Sequence, residues 1–429
     1  MKSPVDNVRE CIDRATTHDE AMSIAYLARR DDEALDDADR VDRSLPLAGE
    51  VLAVKACFDV AGWTTHAGSA VLADAPAAET DALMVAALRS QGAILLAQTN
   101  MTEFAYGALG LNSTYGTPAT PLLPDEQRVA GGSTSGGAVA VAFGAADIAL
   151  GSDTSGSIRV PAAFCGVAGF KPSQGRYPSG GMIPLASSFD VPGLIAAKAA
   201  DLRRFDAALV DDPRWRDTTL AMADVRLLVP VDALHAGETD QVVLDAFEHW
   251  IGAIIAAGGH VTYTDMPMLT EASLAARAGS MIAVEAYDWH RDLIADRFDQ
   301  YDPRVGPRIQ HGGSVLAADY VAARRTIHEC RRRYDGSMEN ADALVTPTVS
   351  ILPPRIDDVQ AMDSYLVMNT EVLRLTEFAN RLDLPSVSLP GGRAPVSPIG
   401  LMLTGRRGGD ATVLDLAVAI EGCLIGDAG

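Results

Sequence analysis

The first 48 residues are polar and helix-prone, with an acidic stretch from Asp31 to Asp42 and no chemistry of catalytic kind; they read as a solvated helical lead-in. From residue 49 the pattern changes. Short apolar runs rich in Val, Ile, Leu and Ala occur at 51–54, 93–97, 148–151, 225–229, 261–263, 343–345, 386–389 and 399–403. Runs of this length, bounded by turn residues, predict buried strands, and the windows between them carry helical periodicity. After Thr239 as N-cap, Val243, Phe247, Ile251 and Ile254 share one face, and Gly258 and Gly259 stop the run. Asp410 likewise precedes Leu414, Leu416 and Ile420. Strands alternating with helices predict an α/β sheet. The arginine-rich portion at 271–340 predicts a helical lobe resting on that sheet.

Composition narrows the function. With 57 acidic against 35 basic side chains in 429 residues, the formal net charge is −22, so the surface repels nucleic-acid phosphates and anionic membranes. No apolar leader precedes a cleavage site and no apolar run is long enough to span a bilayer, which predicts a cytoplasmic location. Five widely spaced cysteines fit a reducing compartment. The eight histidines form no H-E-x-x-H or related pattern, so neither metal nor cofactor is expected. Cations are distributed unevenly: Lys2, Lys55, Lys171 and Lys198 are the lysines, and the remaining 31 are arginines.

The densest glycine and serine chemistry lies between Arg128 and Lys171, in two loops at 131–137 (GGSTSGG) and 151–157 (GSDTSGS). Glycines at such turns let backbone N–H groups approach a ligand closely. A phosphate loop would need a lysine directly after the glycines, and a hydrolase nucleophile elbow would read G-x-S-x-G; neither is present. Lys55, in the run VLAVKACF, is flanked on both sides by residues that favour a buried strand. A lysine buried there is pushed toward its neutral form and can take a proton, which points to a serine nucleophile activated by a lysine.

These residues resemble the amidase signature family. The resemblance is carried by residues 52–62, by TNMTEF at 99–104, by the two serine loops with the AAFCGVAGFKP that follows, and by LVTPT at 344–348. It continues through 369–392 and PIGLMLTGR at 398–406, covering nearly everything after Gly49. It implies an amidase signature domain over 49–429, an α/β fold on one large, mixed, mostly parallel sheet covered by helices on both faces, and a Ser–cis-Ser–Lys triad. In that triad Ser157 would attack the amide carbonyl, Ser133, preceded by a cis peptide, would relay its proton, and Lys55 would be the ultimate base. The backbone N–H groups of Thr154, Ser155, Gly156 and Ser157 would form the oxyanion hole, Asp153 and Arg159 would pair to hold the loop, and Met101 and Phe104 would line the acyl pocket. Three positions depart from the family's habit: Ser155 stands where glycine is common, Ala56 where an acid is usual, and Thr134 where serine is frequent. The expected activity is hydrolysis of a carboxylic amide or urea-like C–N bond of a small molecule; a homodimer is compatible with it. The alternative is the glutaminase component of a tRNA-dependent amidotransferase.

Overall fold

The computed structural model describes residues 2–212, 220–391 and 397–426; Gly392, which ends one of the matched segments, lies outside them. Eleven strands form one sheet: β1 (Tyr26–Arg29), β2 (Val51–Lys55), β3 (Ile94–Thr99), β4 (Ile148–Asp153), β5 (Ala168–Lys171), β6 (Val191–Ala196), β7 (Arg226–Pro230), β8 (His260–Thr264), β9 (Ala343–Pro347), β10 (Ser386–Gly391) and β11 (Ser397–Gly405). Their order across the sheet is β1-β3-β2-β4-β6-β5-β10-β11-β9-β7-β8. The α/β class and the single mixed sheet agree with the sequence; the balance of directions differs from it. Parallel pairing is confined to β3-β2-β4 on one side and β9-β7-β8 on the other. The six pairs between and beside them are antiparallel. The cause is β5, β6, β10 and β11, which join as antiparallel neighbours without intervening crossovers.

Both faces are dry. In β2, Leu52 and Val54 join one buried cluster while Val51 and Ala53 join another, as expected of successive side chains in a strand. The second face is covered by helices Ser135–Ala142 and Arg159–Cys165 and by the N-terminal helices Pro4–Thr17 and Asp31–Arg40. Each buried Leu, Val or Ile contributes roughly 1.5–3 kcal/mol, so the sheet is the chief source of stability. The lead-in is more than helical: β1 pairs antiparallel with β3 and closes that edge. Helix Ser135–Ala142 lies very close to it, for a Cβ on Gly136 would stand 2.3 Å from the Ala25 carbonyl oxygen.

The helix predicted after Thr239 runs over Gln241–Ala256, and its N-cap is Asp240. The Thr239 hydroxyl is engaged elsewhere, donating to the Leu234 carbonyl and accepting from Arg374. In the lobe, helices Met268–Ala278, Met281–Arg297, Gly306–His311 and Ala317–Ser337 pack beside the sheet. Among the described residues no helix is long and apolar enough to cross a membrane.

Candidate active site

The ends of β2 and β4, adjacent and parallel, bring Lys55 and the loop at 151–157 to one edge of the sheet. Lys55 follows Val51 and Ala53 onto the face packed by helix Ser135–Ala142, whose N-terminus grows out of the loop at 131–137. The peptide between Gly132 and Ser133 is cis. Lys55 is fully buried, and its Nζ donates to Ser133 Oγ at 2.7 Å, to Ser152 Oγ at 2.8 Å and to the Ser152 carbonyl at 3.4 Å. Burial pushes the Lys55 ammonium below the usual lysine value, against the pull of Cys57, Asp153 and Asp190. A neutral amine in contact with a serine hydroxyl is a competent proton acceptor.

The loop after β4 divides its backbone groups sharply. Every carbonyl from Thr154 to Ser157 is tied to the protein. Arg381 Nη1 donates to Thr154 O (3.0 Å), Thr376 Oγ1 to Ser155 O (2.6 Å), Val160 N–H to Gly156 O (2.8 Å) and Thr134 N–H to Ser157 O (3.1 Å). Among the described residues, none of the four N–H groups of the same residues has an acceptor. Buried N–H groups are rarely left so, and four in succession can receive a negatively charged oxygen. The Thr134 bond also ties the loop at 131–137 to Ser157 directly. The Ser157 hydroxyl itself has no hydrogen-bond partner among the described residues.

Beneath the loop, Arg159 grips Asp153 with two bonds, Nε at 3.1 Å and Nη2 at 2.9 Å, both side chains being fully buried. Burial alone would raise the Asp153 carboxyl, but Arg159 outweighs it, followed by Lys171 and Asn380, and holds it down at about 2. Asp153 Oδ2 also accepts the Ile158 N–H, while Arg159 reaches the Thr376 carbonyl and Asn380 Oδ1. Asn380, Thr376 and Arg381 are therefore supports that the sequence reading did not single out. They come from helix Glu377–Arg381 and the residue before it, more than 200 residues away in the chain, and only the fold brings them here.

Ser155 fits without distortion. It has no positive φ, and its hydroxyl accepts from Arg381 Nη2 at 2.8 Å. Gly156 is different: its φ is +150°, and a Cβ there would lie 2.3 Å from Thr376 Oγ1. Met101 and Phe104 are both buried, Phe104 against His290 at 4.3 Å and Tyr301 at 5.5 Å, and they stand outside the lining of the cavity beside Ser155. The aromatic packing of the lobe absorbs Phe104, a role that its sequence neighbours do not reveal.

That cavity, of about 530 Å³, opens beside Ser155. It lies among helices Met268–Ala278, Met281–Arg297, Gly306–His311, Met362–Leu373 and Glu377–Arg381. Its size suits a small molecule. Among the described residues no cluster of His, Cys, Asp or Glu could hold a metal ion.

The family model described as Amidase matches residues 6–414. The chain belongs to the amidase family. It is 32% identical over 383 residues to the 2-amino-5-chloromuconic acid deaminase of Comamonas testosteroni, covering 89% of this chain and 82% of that one. It is also 32% identical over 412 residues to a component of the glutamyl-tRNA(Gln) amidotransferase of Halobacterium salinarum, covering 88% and 96%. A crystal structure of an amidase superposes with a TM-score of 0.88 at 28% identity, over 99% of this chain and 96% of that one. As an amidase-family protein the chain is a hydrolase of amide bonds, and its mixed sheet of eleven strands is the family's architecture.

Proposed function

We propose that this protein hydrolyses a linear amide of a small molecule to acid and ammonia or amine, through an acyl-enzyme on Ser157. The observation that carries the reading is the loop at 154–157, whose carbonyls are all held by the protein and whose N–H groups are all left over. As Ser157 Oγ attacks the carbonyl carbon, its proton passes to Ser133 Oγ and the Ser133 proton passes to neutral Lys55. The carbonyl oxygen becomes an oxyanion held by the free N–H groups. The C–N bond then breaks, with the proton returned from Lys55 through Ser133 to the leaving nitrogen. Water attacks the resulting ester by the same relay and frees Ser157. No step draws on a metal or cofactor.

The two relatives named above remove or transfer nitrogen, which agrees with C–N bond chemistry but does not choose a substrate. The cavity beside Ser155 supports a small-molecule substrate, and glutamine is one candidate of that size. The test is ammonia release by the purified chain alone from aliphatic, aromatic and carbamoyl-urea amides. Ser157→Ala should lower kcat by about 10⁴-fold or more while remaining folded, and should abolish labelling by fluorophosphonates. Activity confined to glutamine would favour the amidotransferase role. Retention of more than about a hundredth of the activity in Ser157→Ala would end the nucleophile assignment.

A further inference from the structure

The cavity beside Ser155 is lined by more basic than acidic side chains. Arg277, Arg308 and Arg381 line it against a single acid, Glu377, in a chain whose formal net charge is −22. Two of the three arginines are already committed. Arg381 holds Thr154 O and Ser155 Oγ and pairs with Glu377 at 3.4 Å, and Glu377 also binds Arg277. Arg308 is not. Among the described residues no carboxylate pairs with it. Its guanidinium lies 3.9 Å above the Tyr106 ring, and Nη1 donates to the Tyr106 carbonyl at 2.8 Å. Those contacts, with a further side-chain hydrogen bond to Tyr365, fix its plane, and a guanidinium has five N–H donors, so others remain to bind a ligand. Asn369 supplies a second donor to the same cavity: its Oδ1 accepts the Ala108 N–H at 2.8 Å, which leaves the Nδ2 amide, without a partner among the described residues, for a ligand. The remaining wall is largely apolar, including Met281, Ile282, Leu366 and Leu373.

We infer that the substrate is a small amide bearing a carboxylate, which Arg308, held flat on Tyr106, receives in this cavity with the help of Asn369. The inference rests on the amide-hydrolase reading of Ser157 and names its substrate class. A planar arginine with free N–H donors matches a carboxylate in two parallel bonds, whereas a neutral amide would leave the cation unpaired. The apolar wall accommodates a short carbon skeleton between the charged end and the amide.

The experiment compares succinamic acid with isocaproamide, in which an isopropyl group of similar shape replaces the carboxylate. The native enzyme should prefer the acid by at least about tenfold in kcat/KM. Arg308→Gln should lower that acid-to-neutral ratio about 30-fold or more, chiefly through KM, and Arg308→Lys should recover part of it. A native preference for the neutral amide, or an unchanged ratio in Arg308→Gln, overturns the inference; the native preference decides it if the variant does not fold. Calorimetry with succinamic acid on Ser157→Ala separates the two readings. Binding that disappears when Arg308→Gln is added supports the carboxylate site even if the native enzyme hydrolyses neither amide, in which case the hydrolase reading falls alone. Absence of binding to folded Ser157→Ala overturns the carboxylate site while hydrolysis of isocaproamide would leave the hydrolase reading standing.

Discussion

The loops at the sheet edge and the cavity above them meet at Ser155, yet they are built on opposite terms. Around Lys55, Ser133 and residues 153–157 the side chains are buried and the carbonyls of 154–157 are held by fixed protein partners, while the N–H groups of the same four residues are left over. The helices around the cavity instead keep surface open: Met362 and Leu366 are 36% and 40% exposed, and Arg308 retains donors without a carboxylate. The sheet edge is set by protein partners alone, and in the proposed mechanism its preorganised dipoles carry bond-breaking. The cavity walls decide what enters, and they can vary without disturbing that edge.

The largest break in this comparison should come from Lys55→Met, which keeps the volume of the buried side chain and removes the base. We expect kcat/KM to fall about 10³-fold, with the acid arm of the pH profile removed. The sign follows from burial: it disfavours the ammonium, so neutral Lys55 is populated at lower pH than in free lysine. Native activity should therefore rise with pH through an apparent value below that of free lysine and then level off. An acid arm that survives in Lys55→Met, or that one His→Ala change abolishes, would assign the base elsewhere.

Arg159→Met asks whether the sheet edge depends on its buried ion pair. It leaves the Asp153 carboxylate unpaired in the interior and should destabilise the fold by about 3–5 kcal/mol in urea denaturation. Adding Asp153→Leu should restore a large part of the loss. In the native protein the carboxyl stands at about 2, below its value in the unfolded chain, so its contribution is present above about pH 4 and disappears as the pH falls toward 2. A single-variant loss under about 1 kcal/mol would show that the pair is dispensable.

How far these features could be read beforehand follows the same division. All eight apolar windows became strands, because short β-rich runs between turns have few other ways to bury themselves. β6 escaped notice since Pro192 and Gly193 interrupt it, and β5 is only four residues long. Lys55 and the two serine loops stood out because a lysine in an apolar run and paired glycine-serine turns violate local expectation. Thr376, Asn380 and Arg308 did not, as each sits in or at the start of an ordinary helix and acquires meaning only through distant partners.

Two smaller perturbations would sharpen the contrast. Gly156→Ala places a methyl group where Thr376 Oγ1 already lies, at a φ that favours glycine. Moving the loop off its N–H geometry should lower kcat about 10²-fold or more with KM little changed, as measured by steady-state kinetics. An unchanged kcat would mean that the loop tolerates displacement. Leu366→Ala, on the cavity wall, should change thermal stability by only about 0.5 kcal/mol while raising KM a few-fold. A drop in kcat as large as that of Gly156→Ala would remove the distinction between wall and edge.

The position of β10 and β11 has a consequence for how the chain is made. They sit in the middle of the sheet, joining β5 on one side to β9 on the other, yet they are the last strands in the sequence. During synthesis from the N-terminus, both neighbours are complete long before residues 386–405 emerge, so two strand edges wait unpaired. Closure of the sheet is therefore a late event that joins the halves at once, and a chain ending before β10 keeps the residues of the triad but lacks the bridge that makes one sheet of them.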